Sequence, residues 1–159
     1  MALSSGKRPL FETVNTGKKV ISNLGATATL SADDSGSTVL FNRAAGIVVT
    51  LPLAKVGTYY DFVVTTSVTS NSYKVITGAA TEFLVGGYTN VDTDTSNAVA
   101  VFTGNGSTHI AVTQAAASSN STGGLIGSRL RFTCVSLTQW EVEGLVLGAG
   151  TVATAFATS

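Results

Sequence analysis

Cysteine, histidine and charge are all scarce in this 159-residue chain, and each scarcity removes a class of chemistry. There is one cysteine, Cys134, so an intrachain disulfide and a cysteine-built metal site are both excluded. There is one histidine, His109, too little for a His-based zinc site and the bare minimum for a Ser-His-Asp arrangement. Charged residues make up 11% of the chain, against roughly 25% in an ordinary soluble domain. Nine basic residues balance nine acidic ones, so the basic field that gives nucleic-acid binders most of their affinity is missing. No apolar run approaches the ~20 residues a membrane-crossing helix needs. The first residues lack the apolar stretch of a secretory signal. These features predict a protein made in the cytoplasm, with neither a nucleic-acid nor a membrane partner, and with no cofactor.

What replaces the charge is Thr, Ser, Gly and Ala. Thr and Val suit a pleated, half-buried strand, and the 17 glycines suit turns. Lys, Glu, Leu and Met, which favour helices, are scarce. The expected class is therefore all-β. A surface so poor in charge is a solubility risk for a lone monomer, unless sister subunits or a larger assembly cover it.

Residues 1–17 contain Gly6, Pro9 and Gly17 and follow neither a helical nor a strand period. The expectation is an extended N-terminal arm, followed by one domain over 18–159. The arm is either a frayed end or a docking arm, with Lys7, Arg8, Leu10 and Phe11 meeting a partner. Stretched out, 17 residues reach roughly 55–60 Å.

From Val20 onward, strand-like runs alternate with turn signals every 8–12 residues or so, the spacing of a sandwich or barrel. Twelve runs are predicted, starting at Val20, Thr27, Ser37, Ile47, Tyr59, Tyr73, Glu82, Ala98, Thr108, Ser128, Gln139 and Val152. The seventh is short, Glu82–Val85. No unit recurs at a fixed period, which argues against a solenoid or propeller.

Two hairpins can be put in register. Asn105-Gly106 has the chemistry of a two-residue type I′ turn. That turn would set Phe102 opposite His109 and Val101 opposite Ile110, with Val99 and Val112 on the same face. In the second, Leu130, Phe132 and Cys134 alternate with polar residues, as do Trp140 and Val142. A loop at Ser136–Thr138 then sets Cys134 beside Trp140, Phe132 beside Val142 and Arg131 opposite Glu143.

The stretch Ala32–Thr77 contains Asp33-Asp34-Ser35-Gly36, Asn42-Arg43-Ala44-Ala45-Gly46, Val49-Thr50-Leu51-Pro52, Phe62-Val63-Val64 and Ser70-Asn71-Ser72-Tyr73. It resembles a segment common in small tailed-bacteriophage virion proteins, above all capsid decoration (cement) proteins, and found also in some fibre proteins. The resemblance spans under a third of the chain and rests on turn and strand residues. It implies an antiparallel β-sandwich, jelly-roll-like, often a homotrimer, on the outer capsid surface of the virion. There it would brace the major capsid protein. The alternative is a fibre or receptor-binding domain that recognises host-surface glycans.

Other chemistry has little material. Cys134 alternates into an apolar face and reads as a small core residue. His109 reads as a packing or surface residue. Asp92-x-Asp94-x-Ser96 opens like a calcium-binding loop, but Asn97 stands where that loop needs Gly and Thr103 where it needs a bidentate Glu. A loop Ca²⁺ site at Asp92/Asp94 stays open. Glu141 and Glu143 share a strand face as paired glycosidase carboxylates might, yet Arg131 nearby would oppose the raised pKa of a general acid. The expectation is no catalytic, cofactor or metal site.

Overall fold

The alternation of apolar and polar residues becomes twelve strands and one short 3-10 turn in the computed structural model, which describes residues 18–94, 98–115 and 120–159. Every predicted run overlaps a strand. They are β1 (Val20–Ile21), β2 (Thr27–Thr29), β3 (Thr38–Phe41), β4 (Ile47–Thr50), β5 (Tyr59–Val64) and β6 (Ser72–Ile76). Then follow β7 (Phe83–Asp92), β8 (Val99–Thr103), β9 (Ala111–Ala115), β10 (Arg129–Ser136), β11 (Gln139–Gly148) and β12 (Phe156–Ala157). The arm residues Lys7, Arg8, Leu10 and Phe11 lie outside the described residues.

The strands form a seven-stranded sheet, β1-β3-β5-β10-β11-β7-β8, and a five-stranded sheet, β12-β9-β6-β4-β2. Both are mixed, which departs from the uniformly antiparallel expectation. The reason is the path of the first six strands. Consecutive strands alternate between the sheets, so each returns to its own sheet after a pass through the other. It then runs parallel to its predecessor there: β1, β3 and β5 in one sheet, β2, β4 and β6 in the other.

Residues 20–76 thus wind as a coil of three two-strand turns, a solenoid-like path that the absence of a fixed repeat argued against. Strands start at residues 20, 38 and 59 in one sheet and at 27, 47 and 72 in the other. That uneven spacing hides the winding from a search for a period. Antiparallel partners end it: β10 beside β5, and β9 beside β6.

Strands β3 to β6 each bury every second residue, as half-buried strands do. The buried faces of both sheets feed one apolar cluster. Phe41 of one sheet stacks on Tyr73 of the other at 4.5 Å and 5°, and Tyr88 meets Phe156 at 5.2 Å. Phe62 packs edge-on against Phe132 at 5.4 Å.

The hairpin between β10 and β11 has the expected register, with Cys134 opposite Trp140, Phe132 opposite Val142 and Arg131 opposite Glu143. The Asn105-Gly106 hairpin does not form. β8 pairs with β7, placing Phe102 opposite Tyr88, while β9 joins the other sheet. Val99 and Val101 are exposed, and Val112 is buried. Only Gly106 of the turn pair has positive φ, whereas a type I′ turn needs both. Asn105 instead folds the chain with its side chain, whose Oδ1 accepts the N–H groups of Ser107, Thr108 and His109.

β7 is also longer than expected. It continues past Val85 through Gly86-Gly87 and runs for ten residues beside β11. Gly86 has φ +76°, and a Cβ there would stand 2.5 Å from Val142 O. Glycine lets the two backbones close.

Candidate functional site

The outer face of the seven-stranded sheet is where the charged side chains gather, and its registers place them in rows. One row runs across five strands as Thr38, Asp61, Arg131, Glu143 and Gly87. Arg131 grips Asp61 with two parallel bonds, Nε to Oδ1 at 2.6 Å and Nη2 to Oδ2 at 3.0 Å, the fork geometry that suits guanidinium and carboxylate. Lys18 reaches the same carboxylate. Both cations also stand over the Tyr59 ring, Arg131 at 5.1 Å and Lys18 at 5.6 Å. Glu143, mostly exposed, lies 4.0 Å from Arg131. The Arg131 bond holds the Asp61 carboxyl below its usual range, against the opposing effect of burial.

A depression of about 380 Å³ opens over this row, lined by Thr38, Asp61, Val63, Arg129, Arg131 and Glu143 among others. The next row is largely apolar: Leu40, Val63, Arg129, Leu145, Thr89 and Val101. Beyond it come Leu147, Val91 and Val99. The face therefore pairs a nearly self-neutralised charged band with an apolar band that widens toward β8. Within the charged band Asp61 is engaged by both Arg131 and Lys18.

A second exposed apolar group lies at one end of the fold. Leu53 and Val56 occupy the loop before β5. Gly57 N–H donates to Cys134 O at 2.9 Å, tying that loop to the start of the hairpin tip that carries Val135 and Leu137.

The residues singled out from the sequence fall into structural positions. Cys134 is buried against Trp140, and burial pushes its thiol pKa up. The His109 ring stacks on Phe156 at 5.4 Å, and its Nδ1 accepts the Asn105 N–H. Asp34 caps the 3-10 turn Ala32–Asp34 by accepting Ser31 N–H at 2.9 Å and Ser31 Oγ–H at 2.8 Å. Its Lys19 bond is the main reason its pKa falls to about 2.

Asp92 is buried and accepts Asp94 N–H, while Asp94 accepts Gly150 N–H at 2.7 Å. Ser96 and Asn97 of that loop lie outside the described residues. Among the described residues no three His, Cys, Asp or Glu side chains are grouped to hold a metal ion. Glu141 and Glu143 stand on the outer face of β11.

Sequence reasoning missed two acidic residues. Asp61 interrupts an apolar strand, Tyr59-Tyr-Asp-Phe-Val-Val64, and that interruption was the available signal. Glu82 carries no local signal, because its partners, Ala54 and Trp140, come from distant parts of the chain. No family model, curated protein or solved structure matches this chain.

Proposed function

We propose that this chain is a non-enzymatic structural protein of a tailed-phage virion, a capsid decoration protein. In this reading its two sheets form a β-sandwich whose alternation between layers is shared with a jelly roll, although jelly-roll neighbours are antiparallel. It binds the outer capsid surface as a homotrimer and braces the major capsid protein. The observation that carries the reading is exposed apolar surface on a chain of low charge: Val20, Leu53, Val56, Val99, Val101, Ile126, Val135 and Leu137 are all large and exposed. Covering such groups contributes roughly 25 cal/mol per Å² before association costs. The Asp61–Arg131 band adds orientation more than affinity.

In this reading the arm's anchors Leu10 and Phe11 add contacts to the particle, and Lys18, where the described residues begin, is fixed to Asp61 on the outer face. Several linked weak contacts then act at high effective concentration. The glycan-binding alternative has less to stand on. Tyr60, Tyr73 and Tyr88 are buried, and the Tyr59 ring is occupied by two cations.

The test is co-sedimentation of purified protein with phage heads stripped of accessory proteins. Saturable binding, lost on deleting residues 2–17 while the circular dichroism spectrum is kept, is expected. Absence of binding by the intact chain overturns the reading.

A further inference from the structure

We infer that the free edge of β8 is a pairing surface for the same strand of a second copy, antiparallel about a two-fold axis at Val101. The backbone geometry defines the edge. Asp92 N–H donates to Ala98 O at 2.7 Å at one end of the β7–β8 ladder, and Gly104 N–H donates to Gly86 O at 2.9 Å at the other. Antiparallel alternation then turns the backbone groups of Ala98, Ala100 and Phe102 toward β7. It turns those of Val99, Val101 and Thr103 outward. Among the described residues no strand lies beyond β8.

The strand itself carries none of the usual protective residues. Ala98-Val-Ala-Val-Phe-Thr103 has no charge, no proline and no glycine, whereas natural edges are blunted by lysine, proline, bulges or short length. The other three edges, β1, β2 and β12, are two or three residues long, against five for β8. Val99 and Val101 are exposed at 62% and 69% beside the outward backbone groups.

Symmetry and charge select the occupant. The outward groups sit evenly about Val101, so two copies pair Val99 with Thr103 of the second copy, Val101 with its own counterpart, and Thr103 with Val99 of the second copy. Each such pair exchanges two hydrogen bonds. Two identical uncharged strands meet without like-charge repulsion, while a charged partner strand would find no counter-ion here. The strip is only ~17 Å long, far smaller than an interface of roughly 800 Å² per partner. The pairing is therefore weak between dilute copies and forms where copies are crowded. On the proposed decoration reading, that crowding occurs on the particle, where β8 joins one bound trimer to the next.

Cysteine cross-linking of the purified chain, without particles, tests the register. With Val101 on the axis, V101C places the two Cα atoms at about 5.5 Å, within disulfide reach. V99C alone leaves its two copies four residues apart, about 14 Å along the strand, and out of reach. Under mild oxidation V101C is expected to form disulfide dimers at least about tenfold faster than V99C. An equimolar mixture of V99C and T103C should cross-link as V101C does. Adding V101K to both members of that mixture should abolish the cross-link with the fold unchanged. Equal rates for V101C and V99C, or a V99C and T103C mixture that stays monomeric on denaturing gels, overturn the pairing. Since no particle is present, this outcome is independent of whether the chain binds phage heads.

Discussion

Trp140 donates its indole N–H to Glu82 at 3.1 Å, deep in the fold, and the other oxygen of that carboxylate accepts Ala54 N–H at 2.7 Å. One buried acidic side chain thereby ties the β4–β5 loop, the start of β7 and the start of β11. Removing it leaves two donors without an acceptor. Glu82→Ala is expected to cost about 2–4 kcal/mol, and Glu82→Gln, which keeps one acceptor oxygen, about half as much. Urea unfolding followed by Trp140 fluorescence reads both. Equal stability for Glu82→Ala and the parent would show that this junction contributes nothing.

Acid should destabilise the fold through Asp34 and Asp61. Both carboxyls titrate below their unfolded range, Asp34 at about 2 because Lys19 binds it, and Asp61 in the same direction because Arg131 does. A depressed folded pKa gives stability that is present above about pH 4, the unfolded value, and lost as pH falls through the folded one. The urea midpoint should fall over that window. Asp61→Asn should flatten the profile and weaken the fold at neutral pH. A midpoint that does not change between about pH 5 and 2 would remove these carboxylates from the account.

Two glycines with similar φ should respond differently to alanine. Gly57 has φ +89° and open space within 4 Å of where a Cβ would stand, while at Gly86, with φ +76°, a Cβ would meet Val142 O at 2.5 Å. Gly57→Ala should lose about 1–2 kcal/mol, the cost of the left-handed conformation. Gly86→Ala adds a clash between two central strands and should lose at least about 2 kcal/mol more. Thermal unfolding of the pair separates backbone strain from close approach.

The Cys134 thiol should be unreactive in the native protein. It is 1% exposed and its pKa is raised by burial, so the thiolate that reacts with disulfide reagents is scarce and shielded. Labelling with a chromogenic disulfide should track global unfolding. Fast labelling under native conditions would show that the hairpin end opens locally.

Local chemistry wrote most of the strands into the sequence, and little of their order. Alternation located every strand, and the β10–β11 hairpin was legible to its residue pairs because Leu130, Phe132 and Cys134 face Trp140 and Val142 across a short loop. The Asn105-Gly106 turn misled because its composition is a local signal, whereas β8 is claimed by β7 through a non-local ladder. Parallel neighbours such as β7 and β11 lie over fifty residues apart in the chain and leave no local trace. The charged band was half visible. Arg131 opposite Glu143 followed from the hairpin, but the closer partner, Asp61, belongs to a strand that no local pattern puts beside β10.

The hairpin β10–β11 also sits between β5 and β7 in the sheet order. During synthesis, the coil of the first six strands and the β7–β8 pair emerge before the piece that joins them. Until residues 129–148 arrive, β5 and β7 each present an unpaired backbone edge, and the seven-stranded sheet cannot close. Such late, long-range closure makes for slow folding, on the scale of milliseconds to seconds. A chain truncated before Arg129 would leave the facing edges of β5 and β7 unpaired, an invitation to edge-to-edge association, so such a truncation should lower the soluble yield.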